Sequence, residues 1–101
     1  MIRHIVMFKF MDNADGKTAM ENAAEAKVRA MTLKEQISEI KKLEVQLNSK
    51  SADSSNYEFA LICDFESIED LNSYQVNPAH IDFGNFIKPL REARACIDFE
   101  F

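Results

Sequence analysis

Four segments of this chain alternate apolar and polar residues with a period of two, and two helical patterns separate them. We predict strands at about residues 2–10, 40–48, 57–65 and 93–101. The resulting order is β-α-β-β-α-β, which predicts an α+β fold in which two amphipathic helical regions cover one face of a four-stranded antiparallel sheet. We expect residues 1–101 to form a single domain.

The two helical regions have different sequence signals. The first follows a turn at residues 12–16 and is predicted to run to about Ile37, with a stripe of mostly small residues at helical spacing. That stripe consists of Ala23, Ala26, Ala30, Leu33 and Ile37. The second is predicted as two pieces: Ser67 and Asp70 resemble a capping box that opens a short helix through Tyr74, and another helix runs from Pro78 to about Arg91.

The break between those two pieces contains the most informative residues. Asn77 is a good helix N-cap and Pro78 suits the first helical position, so His80 should lie in the first turn of the last helix. Apolar residues at helical spacing after His80 indicate that its imidazole faces inward, six residues after Tyr74. Such a pair is either part of a ligand pocket or a hydrogen-bonded core pair.

Charge and composition limit the possible partners. A net charge of −5 argues against nucleic acid as a partner, since nucleic-acid binding needs a basic surface. No apolar run approaches the ~20 residues of a membrane span, and we expect a cytoplasmic protein. Cys63 and Cys96 lack metal or redox spacing and are predicted to stay reduced. His80 and Asp82 have no evident third ligand, and we expect neither a metal nor a cofactor.

The faces of the predicted strands differ in chemistry. Each strand has one apolar face that the helices can cover, formed in the last strand by Ala95, Ile97, Phe99 and Phe101. The opposite faces mix apolar and charged residues, namely Arg3, Ile5, Met7, Lys9, Glu58, Ile62, Arg94, Asp98 and Glu100. This mixture favours a homodimer joined through that sheet face. The alternative is a solvated face with scattered apolar residues.

Several segments together resemble the stress-responsive A/B barrel family. They are residues 2–10, 65–67, 74–84 and 97–99, and the Asn-Pro-Ala-His sequence at 77–80 is the most specific of them. The resemblance covers nearly the whole chain. It implies a ferredoxin-like fold and a homodimer whose two sheets close into a dimeric α/β barrel.

The family includes a plant polyketide cyclase that performs an aldol condensation without a cofactor. Its Tyr and His match Tyr74 and His80, and a histidine in its first strand, which lines the pocket, matches His4. This chain departs from the cyclase at Phe59, where the cyclase has a polar pocket residue, and at residues 38–40, where many members have a Pro-Gly or similar turn. Some plant members are described with a metal near that turn, which we do not transfer to this chain.

The residues themselves permit enolate chemistry on a small apolar carbonyl compound. A neutral His80 could act as a general base and Tyr74 could donate a hydrogen bond to the carbonyl oxygen. The predicted substrate-binding residues are His4, Val6, Phe8, Phe59 and Phe83, with Phe86 as a further aromatic wall. Three alternatives stay open: ligand binding without catalysis, a structural or stress-related role, and a monooxygenase-like activity as in related dimeric barrels.

Overall fold

The computed structural model describes all residues, 1–101. Its strands are β1 (Ile2–Phe10), β2 (Asn13–Ala14), β3 (Lys17–Thr18), β4 (Lys42–Leu47), β5 (Phe59–Phe65) and β6 (Arg91–Glu100). Its helices are α1 (Ala19–Ala30), α2 (Leu33–Gln36), α3 (Ile68–Val76) and α4 (Pro78–Ile87). None of these helices is both long enough and apolar enough to cross a membrane.

The main sheet has four antiparallel strands in the order β4-β5-β1-β6. The first strand therefore lies between the last two long strands, and the helices of the two crossovers pack on one face of the sheet. This is the ferredoxin-like topology, so the predicted fold class is confirmed.

Most element bounds agree with the prediction to within a few residues, but the first helical region is interrupted. Helix α1 ends at Ala30, and Thr32 donates its hydroxyl hydrogen to the Arg29 carbonyl at 2.8 Å. A hydroxyl that satisfies a free carbonyl in this way stabilises a helix end. The turn at residues 12–16 is the tip of a β2–β3 hairpin, in which Asp15 (φ 54°) and Gly16 (φ 72°) are left-handed, as a type I′ turn requires.

The small residues of the α1 stripe pack directly on the sheet. Ala23, Ala26 and Ala30 are fully buried, and the stripe continues through Leu33 and Ile37 into the same core. Because an alanine face leaves no large side chain between backbone and sheet, helix α1 approaches the strands closely. The space between α1 and the sheet is therefore filled by the core.

The predicted faces of the last strand are wrong. In the register of β1 and β6, three charged residues of β6 lie beside residues of β1 that face the helices, so they are on the helix side too. The pairs are His4 with Asp98, Phe8 with Arg94, and Ile2 with Glu100. The apolar residues that alternate with them, Ala95, Ile97 and Phe99, are on the open face instead. The reason is that β6 is an edge strand, where the helices give little cover, and its polar residues can therefore occupy the inner face.

With this correction the open face of the sheet has an apolar centre and a charged margin. The centre comprises Ile5, Met7, Ala60, Ile62, Ala95 and Ile97, which are adjacent in the strand register. At the margin Arg3 makes two hydrogen bonds of 2.8 and 3.0 Å to Asp64, and Lys9 pairs with Glu58. Met7 and Ile97, which are diagonal neighbours on this face, remain 39% and 59% exposed.

Candidate functional site

The helix break between α3 and α4 forms as its sequence predicts. The Ser67 hydroxyl accepts a hydrogen bond from the Asp70 amide at the start of α3. Asn77 then caps α4, because its side-chain oxygen accepts from the Ala79 amide at 2.9 Å, and Pro78 occupies the first turn. The break places His80 at the N-terminal end of α4, where it turns back toward the end of α3.

His80 is half-buried and its ring is held from two sides. Its Nδ1 lies 3.1 Å from the carbonyl oxygen of Gln75, and its ring centroid lies 4.4 Å from that of Tyr74. Burial lowers the pKa of His80 below its ordinary value; the Gln75 carbonyl opposes this shift, while the electrostatic effects of His4 and Arg94 reinforce it. The ring is therefore neutral near pH 7.

Tyr74 lies fully inside the protein, in contact with aromatic rings on several sides. Its ring is 5.0 Å from Phe65 and 6.0 Å from His4, centroid to centroid. Its hydroxyl is buried and makes no hydrogen bond of normal geometry, even with the adjacent thiol of Cys63. Burial raises the pKa of Tyr74, so the phenol keeps its proton and is an unused donor.

His4 belongs to a short polar chain on the inner face of β1 and β6. Its Nδ1 lies 2.5 Å from a carboxylate oxygen of Asp98, and the thiol of Cys96 lies 3.5 Å from the same nitrogen. The His4 side chain is almost fully buried, whereas that of Asp98 is about one-third exposed. Burial and the charge of Asp98 raise the pKa of Cys96, which argues against a reactive thiolate at this position.

A cleft of about 220 Å³ opens between β1, β6 and α4. Its inner wall is apolar and consists of Val6, Phe8, Leu61, Phe83 and Ile87. Both histidines line it, and Lys88, Arg91 and Arg94 lie at its margin. The two histidines of the chain, distant in sequence, therefore meet at one cavity.

The predicted site residues fall into two groups in this geometry. His4, Val6, Phe8, His80 and Phe83 line the cleft, whereas Tyr74 and Phe59 do not. Tyr74 lies behind the histidines. Phe59 lies beneath Phe8 and Phe83, and its ring centroid is 5.4 Å from that of Phe8 and 6.4 Å from that of Phe83. Phe86 lies outside the cleft, with the Arg29 guanidinium 4.0 Å from its ring centroid.

Three metal-binding residue types converge at His4, Cys96 and Asp98, whose donor atoms lie within 4.8 Å of one another. His4 Nδ1 and the Asp98 oxygen, however, are 2.5 Å apart. Two ligands of one tetrahedral zinc ion, each about 2.0 Å from the metal, are separated by more than ~3 Å. The arrangement fits a hydrogen-bonded histidine–carboxylate pair better than a metal site. His80 and Asp82 do not form a cluster with any third ligand.

Sequence reasoning missed Asp98 and the cationic margin. The sequence pattern predicts Asp98 and Arg94 on the opposite face and Arg91 at the end of a helix, whereas Arg91 begins β6. The detectable signal was His4 itself: a buried imidazole in a central strand needs a polar partner on a neighbouring strand.

The fold and the cleft define a class of protein: a ferredoxin-like α+β domain with a histidine-lined cavity between its sheet and its last helix. The family-level comparison is more specific. The model of the stress responsive A/B barrel domain (Dabb) matches residues 2–101, and the chain belongs to this family. The comparison with curated proteins found no match.

Solved structures share the fold across the whole chain. A dimeric ferredoxin-like protein of unknown function from Bacteroides fragilis is 31% identical, with a TM-score of 0.84 and coverage of 99% of this chain and 95% of the other. The hydroxynitrile lyase of Passiflora edulis is 15% identical (TM-score 0.75, coverage 97% and 90%). A protein of Nitrosomonas europaea described as a candidate antibiotic biosynthesis monooxygenase is 13% identical (TM-score 0.75, coverage 100% and 98%). The last two show a shared fold alone.

Proposed function

We propose that this protein works as a homodimer and that the cleft beside α4 binds and converts a small carbonyl compound with an apolar body. The observation that supports this most is that His4 and His80, the two histidines of the chain, line the same cavity over an apolar wall. A mostly apolar cavity with a few convergent polar groups is typical of small-molecule sites.

The hydrogen bonds of the two rings determine which nitrogen is basic. The Gln75 carbonyl oxygen can only accept a hydrogen bond, so His80 Nδ1 carries the hydrogen and the lone pair of the neutral ring is on Nε2. The Asp98 carboxylate fixes His4 in the same way. Each histidine then offers Nε2 as a base or as a hydrogen-bond acceptor, and His80 is the proposed general base that removes a proton alpha to a carbonyl.

Tyr74, which lies behind the histidines and does not line the cleft, is proposed to donate a hydrogen bond to the ligand oxygen once the cleft opens toward it on ligand binding. A buried hydroxyl without a partner lowers stability by about 1–3 kcal/mol relative to a satisfied one. Such a group is an expected feature where a ligand, rather than the protein, supplies the partner. The same phenol would stabilise negative charge on the oxygen of an enolate.

The proposed dimer joins the open sheet faces of two copies. The apolar centre with its charged margin is the pattern of a protein interface, and the Bacteroides fragilis neighbour is described as dimeric. In such a dimer the clefts lie on the outer sides of the two sheets, each facing its own α4.

Hydrogen–deuterium exchange at carbon tests the catalytic proposal without knowledge of the natural substrate. Acetophenone in D₂O, followed by proton NMR, should lose its methyl signal faster with the protein than with buffer alone. His80→Gln should abolish this acceleration, and Lys34→Gln, a change at an exposed residue of α2, should preserve it. Exchange at the buffer rate, or exchange that survives His80→Gln, would contradict a base at this position.

A structural role for His80 is the second candidate, and one observation favours it. The bond from His80 to the Gln75 carbonyl ties the start of α4 to the end of α3. If that is its whole role, His80→Gln lowers the free energy of unfolding by about 1 kcal/mol, and neither exchange nor ligand binding is present in the unmodified protein.

A further inference from the structure

Three positive side chains at the margin of the cleft have no anionic partner. Lys88, Arg91 and Arg94 take part in none of the six ion pairs of the protein. No aspartate or glutamate lines the cleft. The chain as a whole has a net charge of −5, so an unpaired positive cluster is not a consequence of its composition.

A local irregularity in the sheet brings the two arginines together. Arg94 lies beside Phe8 and Arg91 beside Phe10, and the register shifts between Lys9 and Phe10. Residues three apart on a regular strand would face opposite sides of the sheet. The extra residue of a β-bulge removes that alternation, so both arginines reach the helix side, and bulges often redirect side chains in this way near functional sites.

The positive side chains lie next to the apolar wall of the cleft, which suggests a ligand with one charged end and one apolar end. The Arg91 guanidinium lies 5.9 Å from the centroid of Phe8, which orients it along the apolar wall. Guanidinium groups bind carboxylates through two parallel hydrogen bonds, and arginine is the residue best suited to such a contact. A cavity of about 220 Å³ is below the ~300–1,000 Å³ of drug-sized sites, so the ligand is small.

We propose that the ligand of the cleft is a small organic carboxylate, with its apolar body on Phe8 and Phe83 and its charge on Arg91 and Arg94. This inference rests on the proposed function, which requires that the cleft bind a ligand, and it adds the charge of that ligand. Asp98, the nearest acidic residue on the same face of β6, is four residues from Arg94 and is bonded to His4.

Paired probes of equal shape and different charge test the inference. Benzoate, its neutral isostere benzamide, and phenyl phosphate are titrated separately into the ¹⁵N-labelled protein, and the amide signals of β1, β6 and α4 are followed by NMR. We expect benzoate to bind at least about tenfold more tightly than benzamide, the scale of one charge-assisted contact. Arg94→Gln and Arg91→Gln should each remove this preference, whereas Lys34→Gln should retain it.

The outcomes separate this inference from the proposed function. Equal binding of benzoate and benzamide would overturn the charge requirement while leaving the cleft as a ligand site. Tighter binding of phenyl phosphate than of benzoate would overturn the assignment to carboxylates. If no probe shifts the signals of the cleft, both the inference and the proposed ligand site fail. Normal amide spectra of the arginine variants confirm that they remain folded.

Discussion

The proposed dimer can be tested by one charge placed at the centre of the open sheet face. Ile97 lies beside Ile5 in the strand register and is 59% exposed in the single chain. A symmetric interface through this face would bury the remaining surface of Ile97 in both copies. Ile97→Glu should therefore weaken association without disturbing the core, since the side chain is outside it.

The expected magnitude follows from the exposed fraction. Full burial of an isoleucine side chain contributes ~1.5–3 kcal/mol, so the 59% still exposed corresponds to about 1–2 kcal/mol per copy. Two copies give about 2–4 kcal/mol per dimer, which is a weakening of roughly 30- to 700-fold in the dissociation constant. Removal of two carboxylates from water would add to this loss.

Sedimentation equilibrium over a concentration series measures the effect. The matched control is Val28→Glu, because Val28 is 69% exposed on α1 and lies on the opposite side of the sheet. The control should leave association unchanged. An unmodified protein that sediments only as an 11.6 kDa species, or an Ile97→Glu variant that dimerises as tightly as the control, would refute an interface at this face.

Three further predictions concern the site. The pKa of His80 is lowered in the folded protein, so the unfolded chain binds a proton at this ring more readily. The free energy of unfolding should therefore fall as the pH drops below about 6.5. Urea unfolding of His80→Gln at several pH values should show a weaker dependence on pH. Tyr74→Phe should leave thermal stability unchanged or slightly raised, because the lost hydroxyl has no partner; a loss above about 1 kcal/mol would show that it is bonded. Asp98→Asn should lower the free energy of unfolding by about 1–2 kcal/mol through its bond to buried His4, whereas Asp82→Asn at an exposed position should not.

The fold was predictable because alternation and helical spacing are local patterns. Strand β1 forms at residues 2–10 as predicted, and the cap at Asn77 forms as its sequence indicates. The break after Ala30 was missed because the apolar stripe continues through Leu33 and Ile37 on both sides of it. A helical pattern indicates which residues face the core, but it does not indicate whether the helix between them is continuous.

The site was predictable only in part because it depends on the register of an edge strand. A shift of one residue in a strand exchanges its two faces, and the apolar residues of β6 indicated the wrong one. Ile97 and Phe99 lie on the open face, where the proposed partner would cover them, and the helices do not cover them. Asp98, Arg94 and Arg91 could be placed only once that register and its bulge were known.

The titration of His80 shows whether its imidazole is a neutral, half-buried group at a cavity. The chain has two histidines, so carbon–proton NMR of the rings resolves both, and the spectrum of His80→Gln identifies the His80 signal. The structure predicts that His80 titrates below 6.5, because burial disfavours its charged form. A His80 ring that titrates at or above 6.5, as an exposed histidine does, would contradict a half-buried, neutral imidazole at the cleft.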